Sequence, residues 1–138
     1  MKLNIVMFSN QPFDMPLKTN KWHVSTRLAG LGHNVIFVDP PTRFYALKQL
    51  FSGKLSLKRF FTVVKKENEN LYVYTPIHVF NFKPFSFLNT FFHSRRIKNL
   101  LKGLEKNKTV FWVYHFDYPD FENFIKEFNY DLFIYDVV

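Results

Sequence analysis

An α/β fold with a mostly parallel sheet is what this sequence predicts, and three observations carry the prediction. Short apolar runs recur at Leu3–Ser9, Val35–Val38, Thr109–Tyr114 and Leu132–Val138, as strands do when both faces of a parallel sheet are covered. Between them lie segments whose apolar residues recur at helical spacing. The first strand, helix and second strand fit within residues 1–38, the length of a right-handed crossover unit.

Leu3–Ser9 reads as the first strand. Asn10–Lys18, NQPFDMPLK, is a loop punctuated by Pro12 and Pro16. Thr19 or Asn20 then caps a helix that places Trp22, Ser25, Leu28, Ala29 and Leu31 on one side. Gly32 stops it in a left-handed conformation. Val35–Val38 forms the second strand, ended by Asp39 and two prolines. Arg43–Phe61 has the Leu, Phe and Tyr content of one or two short helices broken at Ser52-Gly53. Phe61–Lys66 and Leu71–Thr75 fit either a hairpin around Asn68-Glu69-Asn70 or a helix end followed by one strand. After Pro76, IHVFNFKPFSF is an irregular, proline-broken linker. Phe87–Lys106 is the longest helical candidate, with Ile97, Leu100, Leu101 and Leu104 as its stripe. Thr109–Tyr114 is a buried strand. Pro119 suits the first turn of a further helix whose apolar face is Phe121, Phe124, Ile125 and Phe128, with Asp120 and Glu122 favourable to its dipole. Leu132–Val138 is the last strand.

With 138 residues the chain is one domain, long enough to bury a real core. Its 19 phenylalanines point to a core built on rings. The absence of cysteine excludes a disulfide framework and a thiolate metal site. No apolar run reaches the roughly 18 residues of a membrane span. MKLNIVMFS lacks the cleavage site of a signal peptide, so a cytoplasmic setting is the expectation. Charge is unevenly placed: residues 1–114 carry 18 basic and five acidic side chains, residues 115–138 one and six. Thr42–Lys66 holds seven cations and no acid, a surface suited to phosphates, anionic lipid or nucleic acid.

Asp39, at the tip of the second strand, invites a dinucleotide reading, since an acid there can hold a cofactor ribose. That reading needs glycine between first strand and first helix, so that backbone N–H groups can approach the pyrophosphate. Ser9–Asn20 has none. Asp39 is therefore read as shaping its turn, at the rim of a cleft. There is no phosphate-binding P-loop, no nucleophile elbow and no metal-ligand pair at helix spacing, so no metal site is expected.

The run KWHVSTRLAGLGHNVIFVDPP, with DLFIYDVV much later, resembles the N-terminal half of bacterial GT-B glycosyltransferases. The likeness is to the family 4 type that builds cell-surface polysaccharides, the teichuronic-acid group among them. LAGLGHNVIFV is shared by many GT-B proteins; VDPP and FIYDVV narrow the likeness to this branch. The resemblance implies a Rossmann-like domain carrying the acceptor side of a two-domain enzyme. The nucleotide-sugar donor would sit largely on a C-terminal domain outside this chain. It also implies a glycan or lipid-linked acceptor, no cofactor bound by this domain, and no activity from this half alone. The final strand running to the C-terminus fits the N-terminal part of a longer protein.

Site residues are then expected on loops at the strand carboxyl ends. His115, after TVFWVY, falls near the cleft histidine of related retaining enzymes, where an imidazole can donate to a sugar hydroxyl; the plain alternative is a loop histidine beside Phe116 and Tyr118. Asn10, Gln11 and Asp14 can hydrogen-bond an acceptor hydroxyl or simply shape a proline-rich turn. Asp136, in the Tyr-Asp motif, is placed to line the interdomain cleft. His33 is read as a helix-end cation meeting the dipole. In Thr42–Lys66, Arg43, Lys48, Lys54, Lys58 and Arg59 alternate with aromatic and aliphatic residues. An interfacial element on the inner face of the membrane has that composition; equally, the apolar half is core and the cations a solvated face. No RNA- or DNA-binding module is present, so nucleic acid is not expected as a partner.

Overall fold

The structure, a computed structural model, describes residues 1–41, 64–76, 86–114 and 121–136. Among them the chain runs β1 (Leu3–Phe8), α1 (Asn20–Gly30), β2 (Asn34–Val38), β3 (Val64–Asn68), β4 (Leu71–Tyr74), α2 (Ser86–Lys102), β5 (Lys108–Val113), α3 (Phe121–Lys126) and β6 (Leu132–Tyr135). Six strands form one sheet in the order β3-β4-β2-β1-β5-β6. β1 pairs parallel with both β2 and β5, β2 with β4, and β5 with β6; only the β3–β4 pair is antiparallel. The five parallel strands thus keep the order of a Rossmann-like half-sheet, with β1 at its centre.

The two-residue period of the strands divides the core cleanly. Ile5, Met7, Val35, Phe37, Leu71, Val73 and Val110 face α1, where Ala29 is buried with Trp22 and Leu28 beside it. Val6, Phe8, Ile36, Val38, Phe111 and Val113 face the other way, onto Ile97 of α2 and onto Phe121, Phe124, Ile125 and Phe128 at α3. Helices therefore cover both faces, which is why β1 and β2 read as unbroken apolar runs. Phe8 stacks on Phe111 at 5.7 Å and meets Phe121 and Phe124 edge-on, so the ring-rich composition becomes one aromatic cluster.

α1 ends in a Schellman motif: the Gly32 N–H donates to the Ala29 carbonyl and the His33 N–H to the Leu28 carbonyl. Gly32 takes φ +91° there, the left-handed geometry expected of it. Leu31, expected on the buried side, is 69% exposed, because it is the cap residue and lies past the last full turn. His33 does stand at that helix end, where its Nδ1 accepts the Leu3 N–H at 3.2 Å and so ties the end of α1 to the start of β1.

Val64–Asn68 and Leu71–Tyr74 do form a hairpin, with an irregularity between Lys66 and Asn68; it adds an antiparallel strand at the sheet edge. α2 stops at Lys102, short of the expected Lys106, since Gly103 breaks it and the Glu105 carbonyl is taken by the Asn4 side chain. β6 is present but shorter than expected. It lies at the other edge with Leu132 and Tyr135 about half exposed, not buried like the central strands. The short helices expected in Arg43–Phe61, the linker after Pro76 and Pro119 lie outside the described residues. No helix among the described residues is long and apolar enough to cross a membrane.

Candidate functional site

The chain leaves β1 toward β2 on one side and later lays β5 on the other. At such a switch point the loops beyond the carboxyl ends diverge and leave a crevice. Its rim is fixed by backbone bonds. Ser9 N–H donates to the Val38 carbonyl, Asp39 N–H to Tyr74, Tyr114 N–H to Phe8 and Asp136 N–H to Val113, all at 2.8–3.0 Å. Each residue just past a strand is thereby tied to the end of its neighbour, so the loop starts are part of the sheet.

Asp39 reinforces this edge. Its Oδ1 accepts the Phe13 N–H and its Oδ2 the Thr75 hydroxyl, both at 2.8 Å. One carboxylate therefore joins the loops after β1, β2 and β4. Burial pushes its pKa above the ordinary 3.8, against the lowering effect of those two bonds, and nearby Asp14 pushes the same way. Asp39 is a structural clasp, each of its oxygens already accepting a bond from a neighbouring loop. Ser9 Oγ donates to the Gln11 carbonyl at 2.7 Å and accepts the Gln11 N–H at 3.0 Å, which shapes the loop without glycine.

Between β1 and β5 sits a cationic feature. Lys21, in the first turn of α1, is only 6% exposed. Its Nζ lies 5.2 Å from the centre of the Tyr114 ring, within cation–π range. Tyr114 stacks on Trp112 at 5.9 Å and 17°. Burial, with a smaller contribution from Asp136, pushes the Tyr114 phenol up to about 12, so it stays protonated and able to donate at neutral pH. The first turn of α1 contains no acid, and its cap residue Thr19 makes no side-chain bond to it.

Of the expected acceptor-contact residues, Asn10 is exposed and Gln11 half-buried at the end of β1, and Asp136 is half-buried beyond β6; all three stand at the carboxyl edge. Asp14 is exposed on the same loop, but its charge is felt by Asp39 and Lys65, toward the β4–β3 side. His115 follows Tyr114 directly and lies outside the described residues, as do Arg43, Lys48, Lys54, Lys58 and Arg59. Sequence reasoning missed Lys21 and Tyr114. The available signal was spacing: Lys21, Ser25 and Ala29 share one helical face, and all three are buried.

On the opposite face Tyr74 and His93, both buried, share a 2.6 Å bond between the hydroxyl and Nδ1. A cavity of about 160 Å³ lies between α2 and the sheet, lined by Ile36, Tyr72, Asn99, Leu100, Gly103 and Leu104; it contains no charged group and stands apart from the carboxyl edge. Among the described residues no cluster of three or more His, Asp or Glu side chains could hold a metal ion. No protein-family model, curated protein or solved structure gives a significant match to the chain.

Proposed function

We propose that this chain is the acceptor-side domain of a nucleotide-sugar-dependent glycosyltransferase acting on a cell-surface glycan or lipid-linked acceptor. The observation that carries the reading is the β1/β5 crevice: a Rossmann-like switch point with a glycine-free first loop, edged by hydrogen-bonding side chains. Such an edge suits sugar hydroxyls better than a pyrophosphate cradle. Asn10, Gln11 and Asp136 orient the acceptor, and His115 donates to a sugar hydroxyl. The donor belongs to a further domain, which supplies the charge stabilisation at the departing diphosphate. Sugar transfer by the full-length gene product, followed with labelled nucleotide sugars and a membrane extract, tests this. Asp136→Asn and His115→Ala are expected to lower turnover at least tenfold. Absence of transfer with every common nucleotide sugar, or unchanged turnover in both variants, argues against it.

One observation favours a second reading, a module that docks on anionic lipid. α2 has no acidic residue. Phe87, Phe91 and Phe92 on its first turns are 48–59% exposed, and Arg95 and Arg96, also exposed, lie one turn beyond Phe91 and Phe92. Exposed rings beside cations suit an interface of acyl chains and lipid phosphates. Co-sedimentation with phosphatidylglycerol vesicles should exceed that with phosphatidylcholine vesicles and fall as salt rises. Charge-neutral variants at Arg95 and Arg96, or at Arg43, Lys48, Lys54, Lys58 and Arg59, identify which element docks; retention of binding in both sets removes the reading.

A further inference from the structure

We infer that Lys21 and the first turn of α1 form an anion-binding subsite at the floor of the β1/β5 crevice, for a carboxylate or phosphate group carried by the ligand. A lysine side chain is seldom packed this deeply without a partner for its charge. Lys21 buries its stem until the residue is only 6% exposed while its ammonium stays within reach of solvent, and among the described residues it makes no hydrogen bond or ion pair; its one polar interaction is with the Tyr114 ring. The helix end around it is equally short of acceptors. The first intrahelical bond from a backbone donor is His23 N–H to the Thr19 carbonyl at 3.1 Å, Thr19 gives no side-chain cap, and no acid stands in the first turn. The N–H groups of Asn20, Lys21 and Trp22 therefore join the ammonium as donors at the positive end of the helix.

The aromatic stack beside them supplies no negative charge: Tyr114 stays a phenol, and the buried Trp112 indole N–H has no partner. Among the described residues this corner presents an ammonium and N–H donors with no carboxylate bound to them, and a ligand anion completes it. Among the described residues the carboxylate that acts on the Tyr114 phenol is Asp136, and it forms no ion pair with Lys21. That the anion belongs to an acidic acceptor glycan rests on the transferase reading; the subsite rests only on Lys21 and its surroundings.

Titration of the purified chain with inorganic phosphate and, separately, with acetate tests the subsite, read from the amide resonances of Asn20, Lys21 and Trp22. Both anions are expected to shift these amides, and the tighter of the two identifies the group the natural ligand carries. Lys21→Met keeps the side-chain length and should bind at least tenfold more weakly, with a thermal midpoint equal to or above the parent's. Lys21→Arg should retain most of the response. Amides unmoved by either anion, or a Lys21→Met variant that binds as the parent does, overturns the subsite. So does a Lys21→Met variant with a lowered midpoint that anions still raise as in the parent, which makes the lysine structural. Lys21-dependent anion binding without sugar transfer by the full-length protein leaves the subsite standing and removes the transferase reading; transfer indifferent to Lys21→Met, with no anion response, does the reverse.

Discussion

Asp39 shows how one side chain can mislead and then explain. In sequence it imitates a ribose ligand; in the fold both its oxygens are committed, to the Phe13 N–H and the Thr75 hydroxyl. Asp39→Ala abandons those two donors and should cost roughly 2 kcal/mol or more in denaturant unfolding, as each buried unsatisfied donor costs about 1–3 kcal/mol. The pH dependence has a defined sign. Because burial raises the folded pKa above 3.8, the folded state holds the proton longer than the unfolded chain. Stability from this group is full below pH 3.8 and falls as pH rises through the folded value. Asp39→Asn should remove that slope, while keeping an acceptor for Phe13. Asn4 is a second such residue. It looks like an interruption of an apolar strand, yet its amide donates to the Glu105 carbonyl and its oxygen accepts from Asn34, fastening the amino ends of β1 and β2 to the α2–β5 connection.

At the scale of elements, α3 has six residues and is far too short to persist in water alone. It is held by Phe121, Phe124 and Ile125, buried against Phe8 and Phe111. Phe124→Ala, at a fully buried site, should cost about 3–5 kcal/mol, visible as a lower denaturation midpoint. The Lys98–Glu127 pair that also links α2 to the end of α3 spans 3.1 Å but is well exposed on both sides; removing it should change stability by less than about 1 kcal/mol. Gly32→Ala should destabilise by about 1–2 kcal/mol, the cost of a side chain in left-handed backbone. These features were legible in part. The apolar face of α3 and the stop at Gly32 follow from spacing and residue type, which local chemistry decides. The Lys102 end of α2 had a local signal in Gly103, but the capture of the Glu105 carbonyl by Asn4 had none, because it is a contact across the fold.

Over the whole molecule the sheet grades from a doubly covered centre to open edges. β1 and β2 are buried almost throughout, whereas β3 and β6 expose about half their residues. Amide exchange should therefore be slowest in β1, β2 and β5 and fastest in β3 and β6; uniform protection across the sheet would contradict this arrangement. The crevice belongs to this scale too. It exists because β5 returns to the far side of β1, and it collects residues as distant in sequence as Asn10, Lys21, Tyr114 and Asp136.

The sequence by itself determined the α/β class, the parallel central strands, the helix stop and the ring-built core, since each depends on periodicity, residue size and backbone preference within a few positions. Tertiary structure alone decided that Lys21 lies buried over Tyr114, that Asp39 clasps three loops, and that Leu132–Tyr135 is an edge strand. Those facts depend on which segments become neighbours in the sheet, and burial and hydrogen bonding between distant residues have no local signature.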